Sequence, residues 1–242
     1  MIVLHSKRPL LHVPDPSGRQ PTRGAGVFVF RGSEVTWPER LAILLDGEYA
    51  TKTLSKRLKH FPVCADVMAE VRRILDDSAL AGMSLYRILY YTAEPLAGTA
   101  THPLDGARIN FSGTVVFSRN SQLIDQLENV PDVAVRRGTL AHQGWQLGHA
   151  AIKALTTGQR STVLSPDIVP KIQQKGVDMR IGLDIASLAL KRLVSTVVIV
   201  SGDSDLVPAM KFARREGLRV FLDTLGSPQV RPELKVHADR LL

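Results

Sequence analysis

The sequence predicts an α/β domain built on a mainly parallel sheet, and three observations point to it. Leu41-Ala42-Ile43-Leu44-Leu45 and Thr196-Val197-Val198-Ile199-Val200 are apolar at every position, as strands are when helices cover both faces. Stretches with apolar residues at helical spacing lie between the strand candidates, such as Val67, Val71, Ile74 and Leu75. Each of the two apolar runs stops at a polar, glycine-bearing turn, Asp46-Gly47 in one case and Ser201-Gly202-Asp203-Ser204-Asp205 in the other. Strands alternating with helices in this way belong to parallel sheets with crossover helices.

The elements follow in chain order. Residues 1–34 carry Pro9, Pro14, Pro16 and Pro21 with Gly18, Gly24 and Gly26 between them, a density that opposes regular structure. They read as a loosely structured basic extension, with Val27–Phe30 as a local edge strand, ahead of a domain over 35–242. Leu41–Leu45 is the first central strand, Tyr49–His60 and Ala65–Leu80 are helices, and Leu85–Tyr91 is the next strand. Thr92–Ser112, with Pro95, Gly98, Pro103 and Gly106, reads as a long excursion. Gln122–Glu128 is helical and Val133–Arg137 a strand. Gly138–Pro170 has no legible period, and its Ser/Thr-rich centre near Thr156–Thr162 reads as a loop. Met179–Leu193 is a helix with Ile181, Ile185, Leu188 and Ala189 on its inner stripe. After the strand Thr196–Val200 a helix runs to Glu216, Gly217 stops it, Leu218–Leu222 is a strand, and Leu234–Leu242 a terminal helix.

The chain has 242 residues, 44% hydrophobic and 22% charged, enough for one packed core. No apolar run reaches the roughly 18 residues of a membrane span, and Met1–Leu4 is broken too early for a signal-peptide core. One cysteine, Cys64, excludes an internal disulfide or a multi-cysteine metal site and reads as a small core residue. These features together place the expected protein in the cytoplasm, away from membranes. Net charge is +8, which favours a polyanionic partner, but Lys7, Arg8, Arg19, Arg23 and Arg31 stand against Asp15 alone in residues 1–33, so half the excess lies in the extension.

Ligands of an open parallel sheet bind beyond the carboxyl ends of its strands, where the strand order reverses. Asp46, Asp203 and Asp205 follow the two buried strands, and Asp178 opens a helix after Gly176. If the strands are neighbours, these carboxylates share one crevice and repel one another, and a hard divalent cation with oxygen ligands resolves the repulsion. A second reading accounts for each residue singly: Asp203, Ser204 and Asp205 cap a helix start, and Asp46-Gly47 is a turn. Lys211, Arg214, Arg215 and Arg219 could grip phosphates, or form a solvated helix face. The seven histidines show no metal-ligand spacing, and neither a P-loop nor a G-x-G-x-x-G turn is present.

Three stretches together resemble a known family: Lys175-Gly176-Val177-Asp178-Met179-Arg180-Ile181-Gly182-Leu183-Asp184, then Val198-Ile199-Val200-Ser201-Gly202-Asp203-Ser204-Asp205-Leu206-Val207-Pro208, then Gly217-Leu218-Arg219-Val220. They are similar to the NYN domain, the LabA-like branch of the PIN-like nuclease superfamily, with Leu44-Leu45-Asp46-Gly47 matching its first strand and His237-Ala238-Asp239-Arg240 its usual ending. The resemblance spans about 40–242 and is dense over 171–222. It implies a three-layer α/β/α Rossmann-like sandwich with a mainly parallel sheet, and a metal-dependent ribonuclease acting on RNA phosphodiester bonds. Asp46, Asp178, Asp203 and Asp205 would hold Mg²⁺ or Mn²⁺ for in-line attack by water. Asp184 also matches, but six residues past Asp178 it points elsewhere on a regular helix. Ser201 would position a water or phosphate oxygen, and Lys175 and Arg180 the nucleic acid. The family's first motif reads Asp-Gly-x-Asn, and Tyr49 stands here at the Asn position, after Glu48. That departure opens a second expectation, a catalytically inactive RNA-binding or regulatory module on the same fold. A metal-dependent phosphatase is a third, disfavoured because Asp46 lacks an Asp-x-Asp-Gly-Thr motif. Self-association into a homo-oligomer is left open.

Overall fold

A computed structural model describes residues 39–242. The extension expected over 1–34, with its Val27–Phe30 strand, lies outside the described residues. Strand β1 (Arg40–Asp46) is buried along its length and leads into α1 (Gly47–Leu58) and α2 (Cys64–Leu75). Strand β2 (Ser84–Ala93) is followed by a short antiparallel pair, β3 (Thr99–Thr101) and β4 (Arg108–Asn110), inside the expected excursion. Next come α3 (Val115–Glu128), β5 (Val133–Leu147), α4 (His149–Thr156), β6 (Ile168–Lys175) and α5 (Val177–Leu190). The chain closes with β7 (Thr196–Val200), α6 (Val207–Arg215), β8 (Arg219–Asp223), α7 (Pro232–His237) and β9 (Arg240–Leu241).

Seven strands form one sheet in the order β6-β5-β2-β1-β7-β8-β9. All neighbours are parallel except β6, which returns antiparallel along the far half of β5. The inward residues alternate, as strand geometry requires. Ala42, Leu44, Val197 and Ile199 pack with α5 and α6 on one face, while Leu41, Ile43, Leu45, Val198 and Val200 pack with α1 and α2 on the other. The result is the expected three-layer α/β/α sandwich. Cys64 is half-buried at the start of α2, against the second of these cores. Among the described residues, no helix is long and apolar enough to cross a membrane.

Several expectations change in detail, beginning with the helix predicted over Gln122–Glu128, which starts seven residues earlier at Val115. The helix predicted over Ala65–Leu80 ends at Leu75, and Ser78–Leu80 is a separate 3-10 turn capped by Asp77. The strand predicted over Val133–Arg137 runs ten residues further, to Leu147, because β6 pairs with its second half. The helix predicted through Glu216 starts only at Val207, after a 3-10 turn over Ser204–Leu206. The predicted terminal helix stops at His237, and Arg240–Leu241 instead extends the sheet beside β8, anchored where Asp239 accepts the Val220 amide at 2.8 Å.

Strand order reverses at β1: the chain steps to β2 on one side and later returns with β7 on the other. The β1/β7 boundary is therefore the switch point of the sheet. Register sets Leu45 beside Val200, so the residues that follow, Asp46 and Ser201, meet at its carboxyl edge.

Candidate functional site

Asp46 is the last residue of β1 and the N-cap of α1, and both tasks use its carboxylate. Oδ1 accepts the Tyr49 amide at 3.1 Å, while Oδ2 accepts the Ser201 hydroxyl at 3.0 Å. Next to it, Gly47 is required by packing: a Cβ there would stand 2.5 Å from the Tyr91 carbonyl oxygen and 2.8 Å from the Tyr90 ring. Ser201 is fully buried, and its oxygen also accepts the Asp203 amide at 3.1 Å. A single hydroxyl thus joins the ends of β1 and β7 and places Asp203 two hydrogen bonds from Asp46.

Asp203 Oδ1 accepts the Asp205 amide at 3.0 Å and caps the 3-10 turn. The capping reading therefore holds for Asp203, and Asp46, read as a turn, is itself a helix cap; capping is compatible with a site, because it leaves Asp203 Oδ2 without a hydrogen bond among the described residues. Asp178, in the first turn of α5, makes neither a hydrogen bond nor an ion pair among them. Asp46, Glu48, Asp178 and Asp203 line one open cleft of about 360 Å³, with Tyr49, Lys52, Gln174, Gly202 and Arg231. Asp205 lies outside this lining but close enough to act on Asp178.

The charges register this crowding. Burial pushes the Asp46 carboxyl up from the ordinary aspartate value; the Tyr49 amide and Ser201 hydroxyl pull it back, and Glu48 and Asp178 raise it further. Asp178 is raised by partial desolvation and then by the like charges of Asp203, Asp205 and Glu48. Two cations temper the cleft. Lys52 pairs with Glu48 one turn away on α1, and Arg231 donates to the Ser204 hydroxyl at 2.6 Å.

Tyr49, in place of the family's asparagine, is a wall rather than a polar ligand. Its phenol donates to the Thr224 carbonyl at 2.8 Å, and its ring covers Gly202, where a Cβ would come within 2.5 Å of Cε2. Asp184 is held elsewhere: Tyr91 donates to its Oδ2 at 2.9 Å and Arg136 grips it with two nitrogens, Nε at 2.7 Å. Lys175 is exposed at the end of β6 outside the cleft lining, and the Arg180 guanidinium folds back to the Gly176 carbonyl at 2.9 Å. On α6, Arg214 is paired with Asp239 at 2.9 Å and Arg215 lies over Phe212. Lys52, Gln174 and Arg231 are cleft residues that the sequence reading did not single out. Lys52 carried a signal, one turn after Glu48 on a helix that starts at Asp46; the other two depend on long-range pairing.

The oxygen-only donor set suits a hard cation. Among the described residues no three acidic, histidine or cysteine side chains converge as an ion nest. The fit is therefore to a hydrated ion held by one or two carboxylates and completed by water and substrate oxygens, the manner typical of Mg²⁺.

Comparison with known proteins gives a few partial likenesses and one family match. The uncharacterized protein y4oD of Sinorhizobium fredii is 42% identical over 71 residues, which are 28% of this chain and 32% of that protein's length. The crystal structure of a protein of unknown function from Vibrio parahaemolyticus is 15% identical, with 85% of this chain and 93% of that one covered and a TM-score of 0.48. The NYN domain profile matches residues 40–242, from the first residue of β1 past the last of β9. With the carboxylate cleft standing where two parallel strands diverge, that match makes the chain a member of the NYN domain family, within the PIN-like nuclease superfamily.

Proposed function

We propose that this protein is a metal-dependent ribonuclease of the LabA-like branch, hydrolysing RNA phosphodiester bonds at the β1/β7 edge. The observation that carries the reading is the gathering of Asp46, Glu48, Asp178 and Asp203 in one cleft at the switch point. One or two of Asp46, Asp178 and Asp203, with Asp205 at the margin, would hold Mg²⁺ or Mn²⁺ together with water and substrate oxygens. A bound divalent ion supplies charge stabilisation at a phosphoryl oxygen and a more acidic water. Ser201 has no exposed surface with which to meet a phosphate; its part is to fix Asp46 and the Asp203 loop. Lys52 and Arg231 stand on the cleft wall as cations for the strand's phosphates, while Lys175 and Arg180, outside the cleft lining, would contact the backbone at a distance from the reacting bond.

A second reading, an inactive RNA-binding or regulatory module, is favoured by one observation. The phenol of Tyr49 is spent on Thr224, so position 49 gives the cleft no amide. The two readings separate in one experiment: labelled single-stranded RNA, structured RNA and DNA incubated with Mn²⁺, Mg²⁺ or EDTA, for the wild type and Asp203→Asn. Metal-dependent RNA cleavage that the variant loses supports the nuclease; binding without cleavage supports the module; cleavage unchanged in Asp203→Asn overturns the assignment of that residue.

A further inference from the structure

A second, larger hollow of about 620 Å³ adjoins the carboxylate cleft, and Glu48, Lys52 and Gln174 line both. The two form one depression, acidic at one end and apolar at the other. Phe61, Leu96, Ile109, Phe111, Phe117 and Pro170 wall the apolar end. They come from the loop after α1, the excursion between β2 and α3, the first turn of α3, and β6, so crossover segments close the hollow over the ends of β2, β5 and β6, which add Thr92, Leu140 and Ile172 to its lining. A hollow of this size, apolar with a few polar groups at its mouth, accepts a small planar group. What stands at its mouth selects among such groups. The Lys52 ammonium, paired with Glu48 one turn earlier on α1, is a point charge for an anion between the two ends. Gln174 offers an amide that makes no hydrogen bond among the described residues, with both a donor and an acceptor for a heterocycle edge.

We propose that the apolar hollow receives one unstacked nucleobase of a single-stranded RNA whose neighbouring phosphate lies at the carboxylates. The proposal rests on RNA as the polymer that occupies the cleft. Aromatic walls suit any base, because every base presents a flat face, and a base inside an A-form duplex cannot enter. Single strands, loops and bulges are thus the substrate class, and a continuous duplex is excluded.

The test is binding of a fluorescein-labelled 12-nucleotide RNA in EDTA, where nothing is cleaved, with a single abasic ribose moved along the strand. One position should weaken binding about 10-fold, the scale of one base stacked on an aromatic side chain, with the others near neutral. Leu96→Trp, which fills the hollow, and Phe117→Ala, which removes a wall, should weaken the intact RNA similarly and erase the effect of position. Melting curves of both variants show that they are folded; Leu96→Trp serves if Phe117→Ala is not. Equal losses at every abasic position, or position dependence unchanged in the folded variants, overturn the base site. RNA cleavage with such flat binding would leave the ribonuclease standing and sink only this inference. The positional pattern without cleavage does the reverse, and no RNA binding at all overturns the base site.

Discussion

The Ser201 hydroxyl lies 3.0 Å from Asp46 Oδ2 and donates to it across two neighbouring parallel strands, 155 residues apart in the chain. That contact is buried, so removing the hydroxyl leaves one acceptor and one amide without partners. Ser201→Ala should lower stability by about 1–3 kcal/mol in denaturant unfolding. Any cleavage should fall about 10- to 100-fold, as when a metal-ligating carboxylate loses its outer support. Full activity in the variant would show that Asp46 needs no such anchor.

Asp178 makes a pH prediction whose sign is opposite to that of a salt-bridged aspartate. Its folded pKa is raised, so from the ordinary aspartate range, about 4, up to the raised value, the folded chain binds more protons than the unfolded one. Stability therefore falls as pH rises through that window and stays lower at neutrality. In EDTA at pH 7, Asp178→Asn should melt above the wild type, and the gap should close as pH drops below about 4. A variant melting below wild type at neutral pH would contradict like-charge crowding.

The same repulsion predicts stabilisation by divalent ions. Mn²⁺ at 100 times its Kd should add about 2.7 kcal/mol, roughly 5–10 °C in Tm for a domain of this size. Asp203→Asn should lose most of that rise, and in EDTA it should melt at or slightly above the wild type, because one like charge on Asp178 is gone. Scanning fluorimetry with a Mn²⁺ series reads both, and an equal rise in the variant would take Asp203 out of the ligand set.

Tyr49 and Gly202 should behave as a coupled pair. Gly202→Ala forces a methyl against the tyrosine ring and should cost about 1–3 kcal/mol. In a Tyr49→Asn background, where the ring is gone, the same change should cost less, giving a coupling of about 0.5–3 kcal/mol in a double-mutant cycle. Strict additivity would mean that the ring moves aside freely. Tyr49→Asn alone should also raise metal-dependent cleavage, since it restores the family's residue to the cleft.

Asp184 tests the distinction between a structural carboxylate and the carboxylates proposed for the site. Asp184→Asn weakens the grip of Arg136 and the Tyr91 hydrogen bond, and should cost about 1–3 kcal/mol with kcat unchanged below the new melting range. A loss of kcat without a loss of stability would return Asp184 to the site.

The sequence was readable where burial makes pattern and structure the same thing. Strands β1 and β7 are covered on both faces, so their apolar runs are unbroken, and the acids that end them were visible as site candidates. The inner stripe of α5 was legible for the same reason. What escaped notice is what solvent touches. In β6, Lys171-Ile172-Gln173-Gln174-Lys175 is largely exposed and held by pairing with β5, so it shows no period that would mark Gln174. Val133–Leu147 continues past the parallel sheet because of that same partner. Arg231 reaches the cleft from the loop before α7, a placement fixed by packing. Ser201 was legible as a site residue, but its burial, which turns it from a ligand contact into a tie between strands, was not.

The order in which β1 and β7 enter the sheet bears on synthesis. Half of the pocket is made within the first few dozen residues of the domain, and the other half arrives about 150 positions later, with β2, β5 and β6 already translated. An emerging polypeptide stalled before residue 196 has Asp46 and Asp178 but no strand to set them against Asp203. Any hydrolytic power that depends on the finished edge is thereby withheld until that long-range closure, among the slowest kinds of contact to form, has taken place.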